Sequence, residues 1–192
     1  MAILKIARMG NPVLAAVAQR VPDPTNPEIA RLANDMIDTL DDIGANGLAA
    51  PQVHVGKRIV VYRIAAHQIP QGAKLAPLPW TVLVNPVIEP LTDEKKPIWE
   101  RCLSIPGLHG QVSRYTRVRC TAQALNGSRI ERVARGFHAM LLQHECDHLD
   151  GILYPMRMTD LSTFAFNSEL GERGFLYPRS PDEFEEDEVA TH

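Results

Sequence analysis

Apolar residues in the segment 27–43 recur at steps of three and four, the spacing of one face of a helix. Asn26 followed by Pro27 is typical of a helix start, because asparagine caps free N–H groups and proline fits the first turn. Acidic side chains fill the opposite face. The pattern predicts an amphipathic helix whose apolar stripe consists of Ile29, Leu32, Met36, Leu40 and Ile43.

Two apolar runs further along the chain have the composition of buried β-strands. They cover residues 58–62 and 80–84 and are rich in valine, which favours strands. Residues 65–79 lie between the two runs and contain three prolines, so they predict a surface loop. The Asn-Pro pair at 85–86 and Pro90 are expected to end the second strand.

A hairpin and a second helix are predicted next. Residues 117–124 alternate between polar and apolar, and the Asn-Gly pair at 126–127 favours a tight turn that returns residues 129–134 antiparallel. The helix is expected to begin near Gly136 and to end at Gly151. This order of elements predicts an α+β fold, with small antiparallel or mixed sheets packed around the second helix as a central helix.

The C-terminal part of the chain is more polar. Leu161, Phe164, Ala165 and Leu170 allow one shorter helix, and residues 182–188 form an acidic run. We therefore expect a single catalytic domain over residues 1–178. The remaining residues, 179–192, are expected to be an acidic and frayed C-terminal tail.

Composition narrows the class of protein. The chain has 192 residues, 45% of them hydrophobic and 22% charged, which are ordinary values for a globular domain. Its net charge of −3 gives no broad positive field for nucleic acid, and no apolar stretch has the length that a membrane requires. The odd number of cysteines, three, favours a reducing compartment. These values predict a cytoplasmic protein, with an organelle as the other option.

The sequence His-Glu-Cys-Asp-His at 144–148 lies in the second predicted helix and has the HExxH pattern of metal sites. Histidines at i and i+4 project side by side and can share one metal ion. Glu145 lies beside them, close to a metal-bound water. Since Phe137, Met140 and Leu141 place the histidines on the apolar face, where an imidazole needs a partner, we interpret the pair as metal ligands.

Two histidines do not complete a tetrahedral site, so a third protein ligand is needed. Glu169 or Glu172 lies downstream, as in zinc peptidases with a glutamate ligand. Cys102 lies upstream, in a segment, 100–105, that predicts a short strand bounded by the Pro-Gly pair at 106–107. The cysteine is better placed, because a strand is a more rigid platform than a polar segment near the terminus.

Three segments together resemble the motifs of the peptide deformylase family, in the order in which that family has them. They are Asn-Gly-Leu-Ala-Ala-Pro-Gln at 46–52, Cys-Leu-Ser at 102–104 and Gln-His-Glu-Cys-Asp-His-Leu at 143–149. The start of the chain and residues 104–108 are also similar, so the resemblance covers most of the chain. It implies a hydrolase that removes the formyl group from formyl-methionyl peptides or nascent chains and releases formate, with a transient ribosome contact.

The resemblance implies that Cys102, His144 and His148 bind one divalent metal ion per chain. The ion in the family is usually Fe²⁺, and Zn²⁺, Ni²⁺ or Co²⁺ can replace it. One thiolate and two imidazoles leave a fourth position for water, which is the arrangement of catalytic sites. The metal lowers the pKa of that water, so Glu145 can take its proton and later protonate the leaving amine.

Further roles follow from the same resemblance. The side-chain amide of Gln52 and the backbone N–H of Leu103 are expected to stabilise the developing oxyanion. Glu100 and Arg114 resemble a pair that supports the site electrostatically. Asp147 either orients a ligand or is solvated. The pocket for the substrate methionine is expected to be lined by Asn46, Gly47, Phe137, Met140 and Leu141.

The other two cysteines are expected to be packed thiols away from the metal, and these are Cys120 and Cys146. Gly47 has no Cβ, so it allows an extended peptide to approach the backbone, and a plain turn glycine is the alternative.

The chain departs from the family's pattern at four positions. Ala45 and Asn46 replace a glycine and an aliphatic residue near the pocket entrance. Arg101 replaces the glycine before the ligand cysteine, and in a strand its side chain points away from that of Cys102. His109 stands where many relatives have arginine. These changes indicate an altered substrate preference with the same chemistry.

Two other functions stay open on the sequence alone. One is an HExxH metallopeptidase with a downstream glutamate ligand. The other is a binding protein with the deformylase fold, altered specificity and no turnover.

Overall fold

The structure, a computed structural model, describes residues 2–170 and 180–188. These residues contain three α-helices and eight strands, joined by loops and 3₁₀ turns. The helices are α1 (Pro27–Ile43), α2 (Gly136–Leu149) and α3 (Asn167–Leu170). The strands are β1 (Gly47–Ala49), β2 (Ile59–Ile64), β3 (Leu78–Pro90), β4 (Lys95–Cys102), β5 (Ile105–Tyr115), β6 (Arg117–Gln123), β7 (Arg129–Arg135) and β8 (Ala165–Phe166).

Two antiparallel sheets surround α2. The larger sheet has the spatial order β1-β2-β3-β6-β7, and the smaller one has the order β4-β5-β8. Helix α2 contacts strands of both sheets, and its residues from Phe137 to Leu149 are all buried. The predicted α+β fold with a central helix is therefore confirmed. No helix in the described ranges has the length and apolar character needed to cross a membrane.

Strand β2 separates the two main hydrophobic clusters. Successive side chains of a strand point to opposite faces, so Ile59 and Val61 pack with α1, whereas Val60 and Tyr62 pack with α2. Helix α1 has the predicted bounds, and the Asn26 side chain accepts a hydrogen bond from the Glu28 N–H (2.9 Å). The larger sheet therefore lies between α1 on one face and the functional helix α2 on the other.

Strand β3 continues past the point where it was predicted to end. Asn85 adopts a left-handed conformation (φ 54°), and the pairing of β3 with β6 shifts register between Val84 and Val87. The Asn85 side chain accepts from the Val21 N–H (2.8 Å) and donates to the Val21 carbonyl (2.9 Å). The Asn-Pro pair therefore forms a bulge rather than a strand end, because partners distant in sequence satisfy its polar groups.

The segment around Cys102 is a hairpin rather than one short strand. Cys102 pairs with Ile105 across a two-residue turn of Leu103 and Ser104. Strand β5 then runs through the Pro-Gly pair at 106–107, which was predicted to end the element. Pairing of β5 with β4 over most of its length, and with β8 at Leu108 and His109, outweighs the local preference of this pair for a turn.

The C-terminal part of the chain differs most from the predictions. In place of one helix over 161–170, there is a 3₁₀ turn (Leu161–Thr163), then β8 and the four-residue α3. Residues 180–188 pack on the rest of the chain, since Phe184 is only 1% exposed and the Glu188 N–H donates to the Val133 carbonyl (3.2 Å). The predicted boundary at 178–179 lies outside the described residues.

We expect Asn85→Ala to lower the free energy of unfolding by about 3 kcal/mol, because two buried groups of Val21 lose their partner. Asn85→Gly removes the same hydrogen bonds but tolerates the positive φ, so its loss is about 1 kcal/mol smaller. Urea denaturation measures both. Val87→Ala, whose side chain is exposed on the same strand, is the control and changes stability by about 0.5 kcal/mol or less. Equal losses for the Ala and Gly variants would contradict the backbone argument.

Candidate active site

Cys102, His144 and His148 form a compact group of metal-ligating side chains. Cys102 ends β4 and both histidines lie on α2, yet their ligand atoms all lie within 4.8 Å of one another. Cys102 Sγ is 3.3 Å from His148 Nε2, and the two imidazole ring centres are 5.1 Å apart. All three side chains are buried. Among residues 2–170 and 180–188, this is the group whose chemistry and spacing fit a metal ion.

The downstream glutamates do not complete this group. Glu169 lies on α3, is exposed, and accepts a hydrogen bond from the neighbouring Ser168 hydroxyl (2.9 Å). Glu172 lies outside the described residues. Among the described residues, Cys102 is thus the third side chain that could bind a metal with the two histidines, and the metallopeptidase alternative has no support.

Glu100 on β4 fixes the orientation of His144. Its Oε2 lies 2.7 Å from His144 Nδ1, so Nε2 is the ring nitrogen left for a metal. Burial on its own raises the pKa of Glu100, but hydrogen bonds from His144 and Arg114 outweigh burial and lower the pKa to about 2. The Glu100 side chain is thus a carboxylate that holds the histidine ring in place.

Arg114 on β5 joins this carboxylate to a second one. Its Nε and Nη2 donate to the two Glu100 oxygens (2.6 and 3.0 Å), and its Nη1 donates to Asp147 Oδ2 (2.6 Å). Arg157 then donates to Asp147 Oδ1 (2.7 Å). Asp147 therefore acts on Arg114 and not directly on a ligand. Nothing in the sequence around Arg157 indicated its part in this network.

The surroundings of Cys102 favour a thiolate. Burial raises the pKa of the thiol, but the positive charge of His148 and hydrogen bonds to both histidines outweigh burial and hold the pKa well below its usual value. The Ser104 N–H also donates to the sulfur (3.4 Å). Burial instead raises the pKa of Cys120 to about 12 and that of Cys146 well above its usual value, so both are packed thiols.

Gln52 approaches the same sulfur from a 3₁₀ turn (Ala50–Val53) after β1. Its Oε1 accepts from the Ala49 N–H (2.8 Å), which turns the amide nitrogen towards the site. Nε2 lies 3.4 Å from Cys102 Sγ and donates to the Ser104 hydroxyl (3.3 Å). Leu103 follows Cys102 in the hairpin turn and lines the same cavity.

Glu145 lies against the backbone of β1. An ideal Cβ built on Gly47 would be 2.3 Å from Glu145 Oε1, so a glycine leaves the space that this carboxylate occupies. Glu145 Oε2 is buried and has no hydrogen-bond partner among the described residues. Burial raises the pKa of Glu145 to about 7, although His144 and His148 lower it. Near neutral pH this side chain can both accept and donate a proton.

A cavity of about 490 Å³ opens onto His144 and Glu145. The structure brings every predicted pocket residue to its wall: Asn46, Gly47, Phe137, Met140 and Leu141. The four positions that depart from the family's pattern line it too: Ala45, Asn46, Arg101 and His109. Arg101 is exposed whereas Glu100 and Cys102 on either side are buried, which confirms the predicted alternation.

Two further residues near the site were missed by the sequence analysis. The buried ring of Tyr154 stacks on that of His144, with centres 6.3 Å apart. Asn167 on α3 is hydrogen-bonded to His109 and lines the cavity. Tyr154 lies in a segment without a periodic pattern, and Asn167 lies in the segment 161–170 that predicted only a short helix, so no sequence signal placed either of them at the site.

Comparison with known proteins identifies the family. The sequence profile described as polypeptide deformylase matches residues 3–164. "Peptide deformylase 2" of Ralstonia nicotianae is 45% identical over 179 residues, covering 93% of this chain and 97% of the relative. "Peptide deformylase 1" of Nitrosomonas europaea is 44% identical over 168 residues, covering 88% of this chain and 94% of the relative.

Solved structures agree with these sequence matches. A Met-Ala-Ser-bound class I type b peptide deformylase from Acinetobacter baumannii superimposes with a TM-score of 0.73 at 34% identity, covering 82% of this chain and all of that one. The sequence profile, the relatives and the solved structure all indicate a peptide deformylase. None of these three comparisons supports a metallopeptidase or a binding protein without turnover. The chain belongs to the peptide deformylase family of hydrolases.

Proposed function

We propose that this chain removes the formyl group from the N-terminal methionine of nascent peptides, releases formate, and does so at the Cys102, His144 and His148 site. The observation that carries the proposal is the buried Cys/His/His group beside Glu145 at the end of an open cavity. The Acinetobacter baumannii relative has Met-Ala-Ser bound. A peptide with a free N-terminal methionine is the product that this reaction would leave.

The donor set fits one divalent metal ion. Cys102 supplies a sulfur whose pKa is lowered, and the Glu100 contact leaves Nε2 of His144 free to bind. One thiolate and two imidazoles suit Fe²⁺, Zn²⁺, Ni²⁺ and Co²⁺, and we propose Fe²⁺ as the native ion because the family resemblance implies it. When bound, the ion supplies a Lewis acid that activates water and polarises the formyl oxygen.

Glu145 is the general base and then the general acid in this proposal. Its unpartnered Oε2 is free to accept a proton from the attacking water, and its contact with Gly47 limits where the carboxylate can lie. A pKa of about 7 suits both directions of transfer, because neither the carboxylate nor the acid is strongly disfavoured at neutral pH. The same group then delivers the proton to the leaving amine nitrogen.

Gln52 and Leu103 are proposed to stabilise the oxygen that becomes negative during the reaction. The Gln52 amide is held by the Ala49 N–H and the Ser104 hydroxyl, so its nitrogen needs little reorganisation. The Leu103 N–H lies directly after the ligand cysteine in the chain. Donors that are fixed in advance stabilise such charge more than solvent does.

The apolar side of the cavity is proposed to bind the substrate methionine. Phe137, Met140 and Leu141 supply a wall of ring and methylene groups, and a thioether side chain adapts well to such a surface. Asn46 lies at the entrance beside Gly47, and its Oδ1 is buried without a partner among the described residues. We propose that this oxygen accepts a hydrogen bond from the peptide. Action on nascent chains would place the protein in the cytoplasm, with a transient ribosome contact.

We expect Glu145→Gln to lower kcat for formate release from formyl-Met-Ala-Ser by about 10³-fold, because the amide has nearly the same shape but accepts no proton. Metal content, measured by mass spectrometry after anaerobic loading with Fe²⁺, stays at the wild-type value. A Glu145→Gln protein with wild-type kcat would overturn the role of this residue. No formate from the loaded wild type would overturn the proposed reaction itself.

Cys102→Ser is expected to lose metal and formate release together, because a hydroxyl stays protonated where the thiol becomes a thiolate. Loss of a residue that only supports a ligand lowers metal affinity by about 10- to 100-fold, so we expect loss of a ligand itself to lower it by about 100-fold or more. Glu169→Ala is the matched control, since Glu169 is exposed and lies outside the ligand group, and it keeps both properties. If Glu169→Ala lost metal and formate release while Cys102→Ser kept both, the third ligand would be the glutamate and not the cysteine.

Gly47→Ala is expected to lower kcat by about 10- to 100-fold, since the added methyl group displaces the Glu145 carboxylate and small misplacements of this kind are costly. Metal content should stay at the wild-type value, because the three atoms nearest to the added methyl group all belong to Glu145 and none to a proposed ligand. Steady-state kinetics on the Fe²⁺-loaded protein measures the effect. Gly56→Ala is the control, because its Cβ would meet no atom within 4 Å.

A further inference from the structure

We propose that the C-terminal segment 180–188 positions the wall of the substrate pocket through the stack of Phe184 on Phe137. Phe184 is thereby a positioning residue, which acts on the substrate side chain through another residue. The inference rests on the proposed function, because it assigns this segment a part in recognising the methionine of that substrate.

The two phenylalanine rings are in direct contact. Their centres are 4.6 Å apart and their planes differ by 24°, so one face of Phe137 is covered by Phe184. Phe137 lies in the first turn of α2 and lines the cavity, whereas Phe184 is 1% exposed and lines none of it. The orientation of a pocket side chain therefore depends on a residue that the substrate does not reach.

Backbone contacts fix Phe184 in that place. Its carbonyl accepts hydrogen bonds from the N–H groups of Lys74 (3.1 Å) and Leu75 (3.0 Å). On the other side, an ideal Cβ on Gly136 would lie 2.3 Å from the Glu183 carbonyl oxygen. Gly136 also has φ +50°. Both the lack of space for a Cβ and the positive φ therefore require glycine at this position. The segment thus packs directly against the residue that begins α2.

Charged contacts hold the residues that follow Phe184. The Glu188 carboxylate pairs with Arg117 on β6 and Arg135 at the end of β7. Asp187 Oδ2 lies 2.7 Å from Nδ1 of the buried His138, whose Nε2 is 3.2 Å from the Tyr62 hydroxyl. These contacts reach β7 and the first turn of α2, the elements on either side of Gly136. The acidic residues therefore hold the segment on the start of the helix.

The segment is separate from the part of the site that breaks the bond. The family profile matches residues 3–164, so residues 180–188 lie beyond it, while all three ligands and Glu145 lie within it. His144 is about two turns further along α2 than Phe137 and is held by Glu100. Loosening Phe137 should therefore weaken binding of the methionine side chain and leave the proton transfers unchanged.

Phe184→Ala in the full-length, Fe²⁺-loaded protein tests the proposal. We expect KM for formyl-Met-Ala-Ser to rise about tenfold with kcat changed less than about twofold, because apolar pockets discriminate by packing. For formyl-Ala-Ala-Ser, whose first side chain is too short to use the wall, both constants should stay within about twofold. Glu186→Ala is the matched control, since Glu186 lies in the same segment but is exposed. It should behave as the wild type.

A double-mutant cycle separates positioning from a general structural effect. If Phe184 acts through Phe137, Phe184→Ala adds no further change in kcat/KM to a protein that already carries Phe137→Ala. Additive losses, an unchanged KM, or equal losses on both peptides would overturn the proposal. If thermal unfolding shows that Phe184→Ala does not fold, Phe184→Leu takes its place, because it keeps the apolar volume and removes the ring stack. An unchanged KM in that variant would overturn the proposal as well.

Binding of the peptide Met-Ala-Ser to the metal-loaded protein keeps this test independent of turnover. Calorimetry should show a Kd about tenfold higher for Phe184→Ala than for the wild type. If the wild type releases no formate but the two Kd values differ in this way, the proposed reaction fails and the positioning role stands. If the wild type releases formate and the Kd values agree, the positioning role fails alone.

Discussion

The hydrogen bonds of Glu100 with His144 and Arg114 make it possible to bury a helix that carries several ionisable side chains. Every residue of α2 from Phe137 to Leu149 is buried, including Asp147 and His148. A buried charge without a partner costs several kcal/mol, so such a helix is stable only if its surroundings supply counter-charges. For His144 and Asp147 they do, because Arg114 lies between two carboxylates and Glu100 lies between a guanidinium and an imidazole. The position of α2 relative to the smaller sheet is therefore set by charge pairing as well as by apolar packing.

This constraint explains why one hairpin supplies so much of the site. Glu100 and Cys102 lie on the same face of β4 because side chains alternate along a strand, and Arg114 lies on the paired strand β5. Glu100, whose carboxylate orients His144, and Cys102, whose sulfur lies close to both histidines, are thus two residues apart on one strand. The two-residue turn that follows places the Leu103 N–H beside the ligand. A shift of β4 by one residue would move both groups to the solvent side.

The sequence predicted well those parts in which local pattern and tertiary context agree. The bounds of α1 and the β6–β7 hairpin follow from periodicity, a cap and an Asn-Gly turn, all of which act within a few residues. Strand β5 and the bulge at Asn85 depend on partners far along the chain, so Pro-Gly and Asn-Pro pairs were interpreted as ends of strands. Burial of Phe184 has the same origin, because an aromatic residue in an acidic run gives no sign of the ring on which it stacks.

Within the site, the spacing of 144–148 and the family's motifs predicted the group of candidate ligands. Arg157 and Tyr154 lie in segments without a pattern, so the sequence did not indicate them.

The cavity is lined both by residues of the group proposed for the chemistry and by the positions that depart from the family's pattern. The proposed ligands and Glu145 are buried, so substituting any of them leaves an unpaired charge or an empty volume in the interior. Of the four positions that depart from the family's pattern, Arg101 is exposed, Ala45 and Asn46 are half-buried and His109 is buried, and all of them line the cavity. A change at such a position alters what a peptide contacts without removing a counter-charge from the network. Gly47 is the point at which these two sets of residues meet, since it lines the cavity and also leaves the space for the Glu145 carboxylate. A substitution around Gly47 would therefore change the cavity wall, whereas a side chain at Gly47 itself would also displace the Glu145 carboxylate.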